Sequence, residues 1–273
     1  MYRRYFNFIV STIILFSGCA GVKREIGESF STNNDHMIMS VLWTQKAAEY
    51  RALCYQAYNM AKIKLDQELQ KLKRDKTKTK SKPAVVLDLD ETILDNSFYQ
   101  AKLITSNTSY PDGWKEWEAK SLATAVPGAL EFLRYAESKK INIFYLTNRK
   151  IESEESTVIN LTKLGFPINK ESLIMRSEKD SLSMKRRREQ IALKYHIVLL
   201  IGDSLSDFSE IFENASVTDR FKEVDRVSGE FGNNYIILPN SMYGSWEGAI
   251  YEYKSNKSDK ERAQDRLKAL ITY

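Results

Sequence analysis

With 273 residues, the chain is long enough for one large domain with a substantial hydrophobic core. Its formal net charge is +5, and because the cations are mostly interleaved with acids, the composition argues against a surface for a nucleic-acid polymer. The two histidines, His36 and His196, do not lie in an Arg-His-Gly context, which argues against a histidine nucleophile.

The N-terminus is predicted to be a targeting signal. Arg3 and Arg4 precede an uncharged apolar stretch over 6–16, which is short for a membrane span, so we predict a signal peptide over 1–18. Cys19 directly follows a Ser-Gly pair and resembles the cysteine of a bacterial lipobox, which predicts lipidation of Cys19. An ordinary signal peptide with an incidental Cys19 is the alternative.

A lipidated Cys19 would hold the protein on a membrane of the cell envelope. Ala20 is not the aspartate that often marks inner-membrane retention, so the outer membrane is expected if the host is Gram-negative. Cys54 would then lack a disulfide partner, and its helical surroundings predict a buried small side chain. The polar residues 19–35 are predicted to be a flexible tether.

Helical and apolar patterns then alternate along the chain. One long helix is predicted over 38–72, followed by a lysine-rich segment over 71–82 that is expected to be a solvated loop, with an anion-attracting surface as the alternative. The alternation predicts an α/β fold with a parallel sheet flanked by helices. Strands are predicted at 84–88, 141–147, 172–176, 196–202 and 234–239. Further helices are predicted at 127–139, opened by Pro127, and at 153–164, 183–194, 205–213 and 253–268.

The first strand ends in Asp88 and Asp90, followed by Thr92. Alternate residues of a strand point the same way, so both carboxylates are expected on one face, at the end of the sheet where such folds bind ligands. One carboxylate can attack a phosphorus centre while the other moves the proton. A strand end capped by solvated acids is the alternative.

Two later segments could contact a phosphoryl group. Thr147, Asn148 and Arg149 end the second strand and offer donors for phosphoryl oxygens, although Thr147 could instead cap the next helix. Lys185 lies at a predicted helix N-terminus and could reach an anion, but four successive cations are also typical of a solvated helix face.

The fourth strand ends in Gly202, Asp203 and, four residues further, Asp207. Asp203 suits a hard cation, while Asp207 could simply stabilise a helix N-terminus. Each pair of like charges at ~4 Å costs about 4 kcal/mol at an effective dielectric constant of ~20, so clustered carboxylates need a cation before they can bind phosphate. Mg²⁺ together with Lys185 would supply it.

These segments, in this order, resemble the haloacid dehalogenase superfamily of phosphohydrolases. More narrowly, the chain resembles the bacterial class C nonspecific acid phosphatases, lipoproteins with four motif aspartates, over about 38–252. Lys185 and Arg188 match the spacing of the family's third motif, although their neighbours differ. Other shared segments are Leu94-Asp95-Asn96-Ser97, Pro127-Gly128-Ala129 and Pro239-Asn240-Ser241-Met242-Tyr243-Gly244.

The resemblance implies a Rossmann-like sheet within a phosphatase domain over 36–273, with its core at about 83–252. The N-terminal helix and the insertion 94–126 would form a small, mostly helical cap. It further implies a magnesium-dependent phosphomonoesterase, with nucleoside 5'-monophosphates among its substrates.

The resemblance also assigns roles to the motif residues. Asp88 would become an aspartyl-phosphate, and Asp90 would act as acid and base. Thr147 and Lys185 would hold the phosphoryl oxygens. Mg²⁺ would be bound by Asp88, the backbone carbonyl of Asp90 and Asp203, with support from Asp207.

Aromatic residues near the strand ends are candidates for leaving-group contacts. Tyr243 is the favoured one, because it neighbours Gly244 in a predicted turn, while Trp246 is expected to close a lid core. Trp114 and Trp117, in the insertion, could contact the substrate or pack in a lid.

The expected partners are small phosphomonoesters and a membrane, with a homodimer left open. A non-catalytic surface-binding lipoprotein, an adhesin or ligand carrier, is the alternative function. It is disfavoured because all four motif aspartates are present.

Overall fold

The computed structural model describes residues 34–74, 81–169, 171–177 and 183–273. The predicted signal peptide over 1–18, Cys19 and the predicted tether up to residue 33 lie outside this part. The last two residues of that tether were predicted wrongly. Asn34 is buried and its side-chain amide donates to the carbonyl oxygens of Leu103 and Thr108, and Asp35 opens a 3-10 turn over Asp35–Met37.

The predicted parallel sheet is confirmed. It contains five strands in the order β5-β4-β1-β6-β7, all paired in parallel. A two-stranded antiparallel ribbon, β2 with β3, lies within the insertion. The strands are β1 (Lys82–Leu87), β2 (Leu94–Asp95), β3 (Thr124–Ala125), β4 (Asn142–Lys150), β5 (Leu173–Arg176), β6 (Tyr195–Gly202) and β7 (Tyr235–Ile237).

The strand order determines where the site can form. β1 lies at the centre of the sheet, with β4 on one side and β6 on the other. Parallel strands end at the same edge of a sheet, so the residues that follow β1 and β6 meet those at the end of β4. The pairing of β4 with β5 is irregular between Leu146 and Lys150, and Thr147, Asn148 and Arg149 lie in this irregular stretch.

Helices cover both faces of the sheet. The shorter turns over Ile151–Ser153, Leu205–Asp207, Glu210–Phe212 and Ser228–Glu230 are 3-10 helices. The α-helices of the described residues are α1 (Ile38–Lys46), α2 (Ala48–Arg74), α3 (Ser97–Ser106), α4 (Trp114–Lys120), α5 (Ala129–Ser138), α6 (Glu154–Leu164), α7 (Met184–Ala192), α8 (Val217–Arg226), α9 (Ser245–Ile250) and α10 (Asp259–Ala269).

The prediction of one unbroken helix over 38–72 is wrong. Ala47 is extended, with φ −79° and ψ 127°, and separates α1 from α2. The break lets α1 turn away from α2 and pack on α3, where Val41 is buried against Ile104 and Met242. This tertiary packing determines the break, since the segment contains neither glycine nor proline. The predicted loop at 71–82 is also too long, because α2 continues to Arg74 and β1 begins at Lys82, while 75–80 lie outside the described residues.

Three other helix predictions need correction. The helix predicted over 253–268 begins only at Asp259, where α10 starts. The segment 205–213 forms two 3-10 turns rather than one α-helix. Pro127 does not open α5, which begins at Ala129 after Gly128. Gly128 has φ +86°, and a Cβ atom there would press on the ring of Tyr58, so the chain turns tightly onto α2 before the helix starts.

The main core lies between the sheet and one face of α2. Five residues at three- and four-residue spacing along α2 are buried, and Cys54 among them is fully buried, as predicted. Burying a large apolar side chain contributes about 1.5–3 kcal/mol. The buried residues of this face are Tyr50, Cys54, Tyr58, Ala61 and Leu65.

A smaller cluster covers the opposite face of the sheet, where Met184 and Ile191 of α7 pack on Val86 and Phe144. Among the described residues, no helix is both long and apolar enough to cross a membrane.

Candidate active site

Three carboxylates converge where β1 and β6 end. Asp88 directly follows β1, and its backbone N–H donates to the carbonyl of Ile201 at 3.0 Å, which ties the two strand ends together. One carboxylate oxygen from each of Asp88, Asp203 and Asp207 lies within 4.8 Å of the other two. The turn after β6 is tight, because a Cβ atom at Gly202 would overlap the Asp207 carboxylate. Glycine at 202 therefore allows Asp207 to fold back against the strand end.

Fixed donors hold two of these carboxylates in place. Asp203 accepts from the Thr92 hydroxyl at 3.0 Å and from the Asn240 side chain at 2.8 Å. Asp207 accepts from the backbone N–H of Ser204 at 2.9 Å. The orientation of the cluster is thus set by the protein itself.

Burial and mutual repulsion disfavour the charged forms. Burial, followed by Asp207, Asp203 and Asp90, raises the pKa of Asp88 well above its usual range. The pKa of Asp207 is raised by burial and by Asp203. Burial raises the pKa of Asp203 to about 6, against the opposing effect of its hydrogen bonds from Asn240 and Thr92. Oxygen ligands with surplus negative charge are the donor set that a hard divalent cation requires, so the residues fit such an ion.

Asp90 occupies a different environment from Asp88. Its carboxylate accepts from Arg149 Nη2 at 2.7 Å, from Arg149 Nε at 3.0 Å and from the Asn96 side chain at 2.8 Å. Its carboxylate is not part of the three-carboxylate cluster. The two aspartates of the first motif therefore differ in their surroundings: Asp88 lies near other acids, and Asp90 is paired with a cation.

Arg149 holds Asp90 rather than presenting an open guanidinium to solvent. Only 4% of the residue is exposed, and Nη1 donates to the Thr157 hydroxyl at 3.2 Å. Nε lies 3.9 Å from Glu118, and the guanidinium carbon lies 5.6 Å from the centre of the Trp114 ring. Both contacts come from α4, so Arg149 links Asp90 to the insertion. Its predicted contact with substrate stays a prediction.

The two insertion tryptophans pack mainly against their own segment. Trp114 lies edge-on to Tyr99, with ring centres 4.9 Å apart. Trp117 donates its indole N–H to Asn96 Oδ1 at 2.7 Å and stacks on Phe98 at 6.5 Å. These contacts favour the lid-core interpretation of the two residues.

The end of β4 brings Thr147 and Asn148 to the site. Thr147 is fully buried, and its hydroxyl oxygen accepts from the backbone N–H of Arg149 at 3.0 Å. Asn148 is exposed, and its side-chain oxygen accepts from Arg187 Nη2 at 2.8 Å. The nearest side-chain cation of α7 to this strand end is thus Arg187.

Lys185 is not brought to the carboxylate cluster. Its side chain is 43% exposed and pairs with Glu210 at 2.5 Å and with Glu189 at 3.9 Å. Arg188, three residues on, donates to the backbone carbonyl of Asp207 at 2.9 Å.

Sequence reasoning did not single out Asn96, Glu118, Arg187 or Asn240 as site residues. Asn96 and Asn240 lie in segments shared with the family, but nothing in the sequence indicates which carboxylate they contact. For Arg187 the sequence does contain an indication of burial, because its spacing places it on the same helical face as the apolar residues Met184 and Ile191.

A cavity of about 820 Å³ opens beside Asp203 and Asn240. Its walls are mostly apolar and come from α2, β7 and α8, and Tyr243 lines it near the site. Trp246 also lines it and is 41% exposed, so the expectation that Trp246 closes a lid core is wrong.

Solved structures of similar proteins share this arrangement of elements. The chain is 42% identical to the class C acid phosphatase of Bacillus anthracis, covering 88% of this chain and 99% of that one, with a TM-score of 0.83. A second structure of that protein, with tungstate bound, matches at 42% identity and a TM-score of 0.82, covering 88% of this chain and 98% of that one.

A more distant relative is the stem 28 kDa glycoprotein of Glycine max, 30% identical over 137 residues. The match covers 46% of this chain and 52% of the relative, so the chain spans about half the length of that protein. The model of one family, described as the HAD superfamily, subfamily IIIB (acid phosphatase), matches residues 28–246. Members of this superfamily typically use a divalent metal, which agrees with the aspartate cluster. The chain belongs to this acid phosphatase family of the HAD superfamily.

Proposed function

We propose that the protein is a Mg²⁺-dependent acid phosphatase that hydrolyses phosphate monoesters through an aspartyl-phosphate on Asp88. The observation that carries the proposal is the separation of the two motif aspartates: Asp88 meets Asp203 and Asp207 within 4.8 Å, while Asp90 is held by Arg149. The family favours an enzyme over a non-catalytic binding lipoprotein. No described residue contact favours that alternative.

Asp88, Asp203 and Asp207, with the backbone carbonyl of Asp90, would hold the cation. When bound, Mg²⁺ neutralises the carboxylates and polarises a phosphoryl oxygen. The donors from Thr92, Asn240 and Ser204 keep the carboxylates oriented.

Asp88 is the nucleophile of the proposed reaction. Its carboxylate oxygen bonds to phosphorus while the bond from phosphorus to the leaving oxygen breaks. Asp90 gives its proton to that oxygen, and the Thr147 hydroxyl donates to a phosphoryl oxygen. A water then attacks phosphorus, Asp90 takes the proton back, and phosphate departs from Asp88. The hydrogen bonds from Arg149 and Asn96 keep the Asp90 carboxylate in one orientation during both steps. The role that the resemblance gives Lys185 would require it to leave Glu210.

The leaving group is proposed to occupy the cavity beside Asp203. An apolar cavity of this size accepts a ring system, and Tyr243 offers a face for stacking. Nucleoside 5'-monophosphates fit this chemistry, because their bases stack on aromatic rings.

The first prediction concerns the cation. Folding raises the pKa of Asp88 and Asp207, and it raises the pKa of Asp203 to about 6. Without a cation, the folded state therefore keeps protons on these carboxylates at pH values where the unfolded state has lost them. Stability of the cation-free protein should therefore fall as pH rises from about 4, near the ordinary value of an aspartate, past about 6. Mg²⁺ should raise Tm more at pH 7 than at pH 5, because its ligands must be deprotonated.

Thermal unfolding with and without Mg²⁺ measures this effect. Asp203→Asn should remove most of the Mg²⁺ increment, whereas Asp225→Asn, on the exposed part of α8, should keep it. An equal increment in Tm at both pH values would contradict the assignment.

The second prediction separates the motif aspartates. Asp88→Asn should form no phosphoenzyme. Asp90→Asn should lose 10²–10⁴-fold in kcat on an alkyl phosphate but much less on nitrophenyl phosphate, whose leaving group needs no proton. Asp225→Asn serves as the matched control. Equal losses of Asp90→Asn on the two substrates would rule out Asp90 as the general acid.

The third prediction concerns substrate choice. Stacking on a base contributes about 1–3 kcal/mol, so Tyr243→Ala should lower kcat/KM for nucleoside monophosphates by roughly five- to a hundredfold. Small alkyl phosphates should change little, and Tyr273→Ala, at the exposed C-terminus, should change neither. An equal proportional loss of kcat/KM on both substrate classes would show that Tyr243 supports the fold and does not contact the leaving group.

The fourth prediction concerns the membrane. We propose that lipid on Cys19 holds the protein on the cell envelope, because Cys19 follows an apolar run and a Ser-Gly pair. Cys19→Ser should abolish lipid labelling and release the protein from the membrane fraction. Cys54→Ala, which removes the other cysteine, should leave both unchanged. Labelling that persists in Cys19→Ser would refute the anchor.

A further inference from the structure

Arg187 is a buried cation without an acidic partner in the described part of the chain. Only 5% of the residue is exposed. Nη1 donates to the carbonyl of Thr147, and Nη2 donates to the side chain of Asn148 at 2.8 Å. Nε is buried and has no hydrogen-bond partner. Both main contacts lie at the end of β4, beside the proposed phosphoryl site.

An unpaired buried charge is costly, so buried arginines normally meet an acid. Burial lowers the pKa of Arg187, and the neighbouring charge of Arg176 lowers it further. Asp88 is the acid whose charge opposes this effect. The site therefore contains a fixed positive charge that the surrounding protein only partly balances.

The four successive cations of α7, residues 185–188, have different surroundings. Lys185 pairs with Glu210 at the surface, and Arg186 is exposed. Arg188 contacts the carbonyl of Asp207 and approaches Glu210 at 3.8 Å. Of the four, Arg187 alone is buried and reaches the end of β4. It also lies on the helix face that carries Met184 and Ile191 into the core.

We propose that Arg187 is a positioning residue of the phosphoryl site: it fixes the Thr147–Asn148 segment, and its charge is balanced when a phosphoryl dianion binds next to Asp88. This inference rests on the proposed function, since it assumes that the dianion binds at the ends of β1 and β4. The competing interpretation is a brace that joins α7 to β4 and has no effect on anion binding.

Substitutions can separate charge from geometry. Arg187→Met removes both the charge and the two hydrogen bonds. Arg187→Lys keeps the charge but cannot bridge Thr147 and Asn148 with a planar fork. Arg186→Met is the matched control, because it removes the same charge from the exposed face of the same helix.

The experiment measures kcat and KM for nitrophenyl phosphate, the inhibition constant of inorganic phosphate, and Tm with and without phosphate. Arg187→Met should raise KM and the phosphate inhibition constant by roughly ten- to a hundredfold, with a smaller change in kcat. Arg187→Lys should be intermediate, and Arg186→Met should resemble the wild type. A folded Arg187→Met protein that binds phosphate within about twofold of the wild type would overturn the proposal.

A second variant keeps the test valid if Arg187→Met does not fold. Asn148→Asp places an acid at the exposed position that Arg187 Nη2 contacts at 2.8 Å. If Arg187 lacks a charge partner, this variant should raise Tm without phosphate and weaken phosphate binding at the same time. A Tm that does not rise would contradict the proposal.

Two outcomes distinguish the role of Arg187 from the hydrolysis of monoesters. If the wild type hydrolyses no monoester but phosphate still raises its Tm, and Arg187→Met loses that rise, the proposed function fails and the role of Arg187 stands. If the wild type is active and Arg187→Met loses only thermal stability, the role of Arg187 fails and the function stands.

Discussion

Asp88, Asp203 and Asp207 bring three partly buried carboxylates within 4.8 Å of one another, where like charges repel strongly. The sheet imposes this arrangement, because β1 and β6 are parallel neighbours and the backbone of Asp88 bonds to Ile201. The protein adds donors from Thr92, Asn240 and Ser204, which orient the carboxylates without neutralising them. A divalent cation bound here would relieve the repulsion, and a phosphate dianion could then approach.

Asp88 and Asp90 have different surroundings, although a single residue separates them in the sequence. Asp88 faces acids, whereas Asp90 is held by Arg149, which also approaches Glu118 and Trp114 of α4. The insertion thus reaches the proposed acid and base through one buried arginine. Contacts from α4 therefore help to fix the side chain that orients the proposed acid and base.

The sequence predicts most of the fold, because each central strand is an apolar run that ends in polar residues, and such runs alternate with helical patterns. The break at Ala47 could not be predicted, since it depends on packing of α1 against α3 and not on glycine or proline. The four aspartates were recognisable from spacing. The pairing of Asp90 with Arg149 was not, because it joins residues 59 positions apart. Which cation of α7 contacts the end of β4 depends on the face that the helix turns toward the sheet. Four successive cations do not indicate that face. The burial of Met184 and Ile191 identifies it, and Arg187 lies on the same face.

The proposed need of the carboxylate cluster for a cation is tested most directly with protein that has been freed of divalent metal and whose metal content has been measured. The measurement is phosphate release from nitrophenyl phosphate. Activity should be lost with the metal and should return on addition of Mg²⁺. Full activity in protein shown to contain no divalent metal would contradict it.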